Sequence, residues 1–120
     1  MYDATDLLVW GIVLHLVGDW LLQTDWMAEN KIHLQHPASW VHSGIHTALS
    51  LLVFTWPFAL YIGVLHLLID TRIPVNWWVR VVKQMQSNST HTATVAMFLD
   101  QVLHIVVIAT AALIAIQYSF

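Results

Sequence analysis

Four pairs of residues that commonly ligate metals are spaced four positions apart in the more apolar parts of the chain. The pairs are His15 with Asp19, His42 with His46, His66 with Asp70, and Asp100 with His104. Residues at positions i and i+4 lie on the same face of a helix, so each pair would point in one direction from its helix. Neutral imidazole and carboxylate are standard ligands of Zn²⁺, and sites richer in carboxylate favour Mn²⁺ or Fe²⁺. The spacing therefore predicts a metal site built from all eight residues.

The composition places these polar pairs in an apolar setting. Of the 120 residues, 58% are hydrophobic and 9% are charged, and the mean hydropathy is +0.67. A soluble domain carries roughly a quarter charged residues, so the shortage of charge indicates that most of the surface faces lipid. A charge at the centre of a membrane span costs about 2.5–3.5 kcal/mol on insertion scales, and such residues are by default functional. A divalent cation would neutralise several carboxylates buried together.

The composition also excludes some chemistry. The chain has no cysteine, which excludes disulfides, thiolate metal ligands and a cysteine nucleophile. Its formal net charge of −3 gives no electrostatic reason to expect a nucleic-acid partner. The expected partner is membrane lipid, and the sequence leaves a homo-oligomer open.

The apolar segments predict an all-α polytopic membrane protein with four short transmembrane helices. The expected spans are residues 6–24, 39–55, 57–70 and 92–117, in a single transmembrane domain over residues 1–120. The apolar stretch 40–69 is too long for one span and contains Pro57, so we interpret it as a tight hairpin that turns at Trp56 and Pro57. One kinked span over the same residues is the alternative. The apolar spacing in residues 74–86 predicts an amphipathic helix that lies in the membrane interface.

The basic residues predict the orientation of these spans. All of them fall in the first and third connections between spans: Lys31, Arg72, Arg80 and Lys83. The positive-inside rule makes that side cytoplasmic, so both termini are expected outside. At 1.5 Å per helical residue, the eight His and Asp residues then lie within roughly 0–16 Å of the cytoplasmic interface.

The motifs resemble those of a known family. They are the run from His15 through Gly18, Asp19, Gln23 and Asp25 to Lys31, the pair His42 and His46, the segment from His66 to Asp70, and the segment from Asp100 to His104. Over nearly the whole chain and in this order, they resemble a family of small bacterial and phage membrane proteins that is catalogued as a domain of unknown function, number 3307. This resemblance implies a multi-pass protein of the bacterial inner membrane and supplies no activity. More distantly, the chain resembles the predicted membrane-bound metal-dependent hydrolases, which implies hydrolysis of a lipid-like substrate.

The leading functional hypothesis is an intramembrane metal-dependent hydrolase. It would act on a lipid or lipid-linked (phospho)ester at the cytoplasmic leaflet, with one or two Zn²⁺ ions, or with Mn²⁺ or Fe²⁺ in their place. Asp25 or Asp100 would serve as general base, and Gln23, Lys31 and Arg72 would bind the substrate.

Two alternatives belong to other classes of function. The first is a b-type haem protein with histidine axial ligands, against which the regular Asp partners argue. The second is a transporter of protons or metal ions. A relay should cross the whole membrane, whereas residues 105–116 read as apolar.

Overall fold

Helices account for all the regular structure in the part of the chain that the computed structural model describes, residues 2–86 and 89–118. The helices are α1 (Ala4–Leu16, continued by a π-helical turn over Val17–Leu21), α2 (Asp25–Asn30), α3 (Pro37–Ser50), α4 (Trp56–Asp70), α5 (Ile73–Trp77, continued by a π-helical turn over Trp78–Val82) and α6 (Thr90–Tyr118). The predicted all-α class is confirmed.

Local signals in the sequence set where several helices begin. Asp3 accepts a hydrogen bond from the backbone N–H of Asp6 at 2.8 Å, and the Asp6 side chain accepts one from the Asp3 N–H at 3.1 Å. This reciprocal cap satisfies two donors that the first turn of α1 leaves unpaired. In α3, Pro37 occupies the first turn, and His36 Nδ1 accepts from the Ala38 N–H at 3.0 Å.

Helices α3 and α4 form an antiparallel hairpin. Ser43 Oγ donates to the Gly63 carbonyl at 2.6 Å, and Thr47 lies so close to Gly63 that a Cβ there would collide with its side chain. The turn lies in residues 51–55, ahead of the predicted position at Trp56 and Pro57. Proline is tolerated in the first turn of a helix because the N–H that it lacks would have no intrahelical acceptor there. Pro57 therefore lies in the first turn of α4 and does not form the turn between α3 and α4.

The longer helices pack side by side in a closed ring. Helix α1 contacts α3 and α6, and α4 also contacts α3 and α6. Gly11 of α1 brings the backbone against Ile108 of α6, and Tyr61 of α4 shares a 2.8 Å hydrogen bond with Thr110 of α6. This arrangement directs one face of each helix toward a common interior.

Among the described residues, two helices are long and apolar enough to cross a membrane. They are Ala4–Leu21, with 18 residues and a mean hydropathy of 1.4, and α6, with 29 residues and a mean hydropathy of 2.1. The prediction of four such spans is corrected, because α3 and α4 have 14 and 15 residues, about 21 and 23 Å of helix against ~30 Å of hydrocarbon. Helix α4 and the segment Ile73–Val82, bent by 57° at their junction, would make a third span only as one broken helix.

The distribution of polar and apolar side chains between interior and surface is the reverse of that in a soluble protein. Trp20 and Leu21 are 71% and 75% exposed, whereas His42 and His66 are 0% and 2% exposed. A soluble protein rarely exposes large contiguous apolar surface, and it rarely builds its interior from ionisable groups. This distribution supports the assignment as a membrane protein that the two long apolar helices indicate.

Helix α5 turns away from the end of α4. The chain bends at Arg72, whose φ of 68° lies in the left-handed region. Val75 and Val79 are buried in an apolar cluster with Ile69 and partly buried residues of α6, while Trp77 is exposed. The segment Ile73–Val82 packs an apolar face against α4 and α6, but its exposed side chains include Trp78 and Val81 as well as Arg80, so the amphipathic pattern predicted for residues 74–86 is not established. Its place in the membrane interface stays a prediction.

A second apolar cluster occupies the other end of the helical ring. Its buried members are Leu7, Phe54, Phe58, Ile62, Ala111 and Ala112. Along α4 and α6, this cluster lies on the side of His66 and His104 toward the turn between α3 and α4, whereas the cluster of Ile69 and Val75 lies beside the His and Asp residues. The interior is thus polar toward one end and apolar toward the other.

Candidate metal centre

The four helices of the ring bring the eight predicted ligand residues into one buried cluster. Helix α1 with its π-helical turn contributes His15 and Asp19, α3 contributes His42 and His46, α4 contributes His66 and Asp70, and α6 contributes Asp100 and His104. None of the eight is more than 7% exposed. Residues four apart on each helix therefore share the inner face, as the spacing predicts.

The carboxylate of Asp19 lies close to histidines on two other helices. Asp19 Oδ1 lies 3.0 Å from His46 Nε2, 3.1 Å from His42 Nε2 and 3.9 Å from His66 Nε2. Its other oxygen, Oδ2, lies 3.3 Å from His15 Nε2. Asp19 therefore uses its two oxygens for different neighbours.

The second carboxylate is arranged in a similar way. Asp70 Oδ2 lies 2.9 Å from His66 Nε2 and 3.3 Å from His42 Nε2. Its Oδ1 lies 3.4 Å from His104 Nε2 and 4.0 Å from Lys31 Nζ. The Nε2 atoms of five histidines, which come from all four helices of the ring, thus converge on the oxygens of two aspartates.

These atoms form two overlapping ligand groups in the described residues. One group is Asp19, His42, His46 and His66, the other is His66, Asp70 and His104, and in each group the candidate atoms lie within 4.8 Å of one another. His66 belongs to both groups, but one imidazole nitrogen binds one ion at a time. The geometry therefore accommodates one ion, or two neighbouring ions with His66 bound to one of them.

Hydrogen bonding leaves much of this cluster unsatisfied. The Nε2 atoms of His42, His66 and His104 and both oxygens of Asp70 are buried and have no hydrogen-bond partner among the described residues. Several of these atoms lie 2.9–3.4 Å apart, so the distances would permit hydrogen bonds but the directions do not. A buried polar atom left without a partner costs roughly 1–3 kcal/mol. A cation between these atoms would supply the missing partner, so the residues fit a metal ion.

A π-helical turn places Asp19 in the cluster. The turn spans Val17–Leu21 and extends α1 by one wider loop of helix. Such turns are rare and occur frequently at functional sites. Beside Asp19, Gly18 lies directly under the His46 ring, where a Cβ would come within 2.6 Å of Nε2. The absence of a side chain at Gly18 lets His46 reach Asp19.

Two of the predicted ligands lie beside these groups and are joined by a residue that sequence reasoning missed. His15 Nε2 lies 3.1 Å from Gln101 Oε1, and Gln101 Nε2 lies 3.2 Å from Asp100 Oδ2. Asp100 Oδ1 is buried without a hydrogen-bond partner in the described residues. The available signal was the amide of Gln101 inside an apolar span, next to a predicted ligand.

The residues predicted to bind substrate or act as base lie at different distances from the cluster. Lys31 is close, with Nζ 4.0 Å from Asp70 Oδ1, and it interacts electrostatically with Asp100, as Arg72 does. Gln23 is partly buried, with Oε1 lacking a hydrogen-bond partner in the described chain. Asp25 is exposed in the first turn of α2 and belongs to neither ligand group.

The fold and the cluster define a helical membrane protein with buried His and Asp residues that could bind metal. The chain belongs to the family described as Protein of unknown function (DUF3307), whose model matches residues 7–120. No curated protein and no solved structure matches the chain. The more distant resemblance to the membrane-bound metal-dependent hydrolases is not supported by these comparisons.

Proposed function

We propose that this protein is a metal-dependent hydrolase of the bacterial inner membrane that acts on a lipid or lipid-linked (phospho)ester at the cytoplasmic leaflet. The observation that carries the proposal is the convergence of buried candidate ligand atoms that lack hydrogen-bond partners within the described part of the chain, above all His66 Nε2 and the two oxygens of Asp70. A purely structural network of hydrogen bonds would pair these atoms, because an unpaired buried group is costly.

Charge balance supports a divalent ion in this cluster. Asp19 and Asp70 are 7% and 2% exposed and are surrounded by imidazoles, so their two negative charges have little access to water. One divalent cation neutralises two carboxylates, whereas leaving both charges bare in a low-dielectric interior is strongly unfavourable. The set of four imidazoles and two carboxylates is rich in nitrogen, which suits Zn²⁺ or Fe²⁺ better than Mn²⁺. We propose Zn²⁺, as one or two ions.

The neighbouring side chains can support hydrolysis. A bound divalent ion would supply Lewis acidity and make water a usable nucleophile at neutral pH. Asp100 Oδ1 is buried and has no hydrogen-bond partner among residues 2–86 and 89–118, so it is available to accept the proton of the attacking water. Lys31, beside Asp70, and Arg72, at the end of α4, would bind the negative charge of a phosphoester. A carboxylic ester carries no such negative charge, so its binding would not require these two basic side chains.

The proposed membrane position places α1, α3, α4 and α6 together in the bilayer. The turn between α3 and α4 contains exposed Leu51 and Leu52, and the four basic residues lie at the opposite ends of these helices. We propose that the short helices α3 and α4 are accommodated by local thinning of the bilayer. The basic end then faces the cytoplasm, with both termini outside.

The geometry argues against the two other functions that the sequence left open. The rings of His46 and His66 are stacked with centroids 3.7 Å apart, and those of His66 and His104 are 4.3 Å apart, which leaves no space for a porphyrin between them. A transport relay would need polar groups through the membrane, whereas the apolar cluster of Leu7 and Phe58 closes one end of the ring.

The first test is the metal content of the purified protein. We expect one or two equivalents of transition metal per chain in elemental analysis, and loss of at least one equivalent in His66→Ala because His66 belongs to both ligand groups. His91→Ala, an exposed histidine at the start of α6, is the matched control and should keep the metal. An absorption spectrum recorded in parallel should show no Soret band.

Other outcomes of this test have defined meanings. A wild-type protein that stays metal-free after reloading with Zn²⁺, Fe²⁺ and Mn²⁺ would overturn the metal centre. A Soret band would establish haem binding in its place.

If metal is bound, the loaded protein is assayed in lipid nanodiscs against phospholipids, lipid-linked phosphates and carboxylic esters. Turnover that is absent from His66→Ala is the expected result, and no turnover of any of these substrates contradicts the hydrolase.

A further inference from the structure

The side-chain amide of Gln101 joins two residues that lie beside the metal ligands. Its Nε2 faces Asp100 Oδ2 at 3.2 Å, and its Oε1 faces His15 Nε2 at 3.1 Å. Gln101 is partly buried on α6, and His15 is on α1, so this contact links two helices of the ring. Sequence reasoning had given His15 the role of a metal ligand and had given Gln101 no role.

Only one assignment of hydrogen-bond donors and acceptors is consistent with the contacts of Gln101 with Asp100 and His15. An ionised carboxylate only accepts hydrogen bonds, so the group of Gln101 that faces Asp100 is the NH₂ donor. The oxygen of the same amide then faces His15, and an amide oxygen only accepts. His15 Nε2 must therefore carry a proton. A protonated ring nitrogen has no lone pair, so it cannot bind a metal ion.

His104 gives the opposite result from the same logic. Its Nδ1 lies 2.8 Å from the backbone carbonyl of Asp100, which only accepts, so Nδ1 carries the proton. Its Nε2 then has a free lone pair, and this atom lies 3.4 Å from Asp70 Oδ1 within a ligand group. A hydrogen bond from Nδ1 to a carbonyl is the usual way in which proteins orient a ligand histidine.

We propose that His15 is a positioning residue: its one Nε2–H, which donates to Gln101 Oε1, also lies beside Asp19 Oδ2 and attracts it, which leaves Asp19 Oδ1 for the metal ion. This inference rests on the proposed metal binding. It is consistent with the 3.3 Å distance from His15 Nε2 to Asp19 Oδ2 and with the two ligand groups, neither of which contains His15. The metal set is then Asp19, His42, His46, His66, Asp70 and His104. In this set an ion would replace the proton that His46 Nε2 shares with Asp19 Oδ1 at 3.0 Å, since both atoms belong to one ligand group.

The test compares substitutions at His15, Gln101 and His104 in the full-length protein loaded with Co²⁺. The amide nitrogen of His15→Gln can take the place of the Nε2–H donor, so this variant should keep the number of bound ions and the Co²⁺ d–d spectrum. His15→Leu and Gln101→Leu should keep the number of ions but bind them 10–100-fold more weakly in competition with a chelator, as is typical when a ligand loses its orienting partner. His104→Gln should change the d–d spectrum, because a nitrogen ligand is lost. Gln101→Met is a second variant at this position should the leucine variant not fold.

Three results would contradict the roles proposed for His15 and Gln101. A change in the d–d spectrum of His15→Gln like that of His104→Gln would make His15 a ligand and overturn the proposal. Unchanged affinity in both Gln101→Leu and Gln101→Met would overturn the role of Gln101. A ¹⁵N spectrum of the metal-free protein, in which the His15 signals are assigned by their loss in His15→Gln, should show the proton on Nε2; a proton on Nδ1 alone overturns the assignment. This last measurement separates the inference from the proposed function, since it does not require metal binding or turnover.

Discussion

At the scale of single residues, the two oxygens of one carboxylate can have separate tasks. Asp100 Oδ2 accepts from Gln101, while Oδ1 is buried with no partner among the described residues. The hydrogen bond holds the carboxylate in place, and the free oxygen can accept a proton. Sequence reasoning proposed both Asp25 and Asp100 as the general base; of these, only Asp100 lies beside the ligand histidines, with its carbonyl bonded to His104.

Asp100→Asn tests this assignment with little change in side-chain volume. We expect the variant to bind metal with the stoichiometry of the wild type and to hydrolyse the substrate 10²–10⁴-fold more slowly, the range that is typical for loss of a general base. The measurements are kcat and metal content on the same sample. Glu29→Gln, which removes an exposed carboxylate of α2, is the control and should leave both unchanged. Loss of metal from Asp100→Asn would instead make Asp100 a ligand.

At the scale of secondary structure, close contacts between helices decide which side chains can meet. Gly18, in the π-helical turn after α1, lies under the ring of His46 on α3. The turn contains Asp19, and the missing Cβ of Gly18 makes room for the His46 imidazole, which bonds to Asp19 at 3.0 Å. Spacing within one helix does not indicate that Gly18 lies against His46, a candidate ligand on another helix.

Gly18→Ala and Gly44→Ala form a matched pair of glycine substitutions in helical segments. An added Cβ at Gly18 would lie 2.6 Å from His46 Nε2, whereas at Gly44, on α3, it would meet nothing within 4 Å. We expect Gly18→Ala to weaken metal binding at least tenfold because the His46 ring has to move. Gly44→Ala should bind metal normally and unfold at a slightly higher temperature, since alanine is about 1 kcal/mol better than glycine within a helix. Equal metal affinity in the two variants would contradict the role assigned to Gly18.

At the scale of the whole molecule, the chain buries ionisable groups and exposes apolar ones. This arrangement is stable only if the exposed surface faces lipid and the buried charges are compensated. The basic residues gather at one end: Lys31 lies 4.0 Å from Asp70 at the end of α4, and Arg72 follows directly. The proposed site is therefore nearer to the basic end of the ring than to the turn between α3 and α4.

Cysteine labelling tests the proposed orientation and is clean because the chain has no cysteine. Leu52→Cys places a thiol in the turn between α3 and α4, and Lys83→Cys places one after α5, at exposed positions. We expect an impermeant maleimide to label Leu52→Cys from outside intact cells and Lys83→Cys only after the cells are opened. If both thiols are labelled from the same side, α3 and α4 do not cross the bilayer as proposed, and the cytoplasmic placement of the site fails.

The sequence by itself determined the features that depend on local spacing. The i, i+4 pairs predicted which faces of the helices point inward, and hydropathy predicted the two long apolar helices, Ala4–Leu21 and α6. The order of the motifs indicated the family, whose model matches residues 7–120. These features are readable because helix periodicity and hydropathy are properties of neighbouring residues.

Only the tertiary structure decided which of the eight residues contact one another and where the hairpin turns. Spacing alone makes His15 and His104 equivalent, yet one lies against the Gln101 oxygen and the other has its Nδ1 against a backbone carbonyl. Whether a histidine is a ligand or a hydrogen-bond donor depends on distances of about 3 Å between different helices, which no pattern within one helix specifies. The short lengths of α3 and α4 likewise follow from a turn ahead of Pro57 that hydropathy could not locate, because the residues on both sides of it are equally apolar.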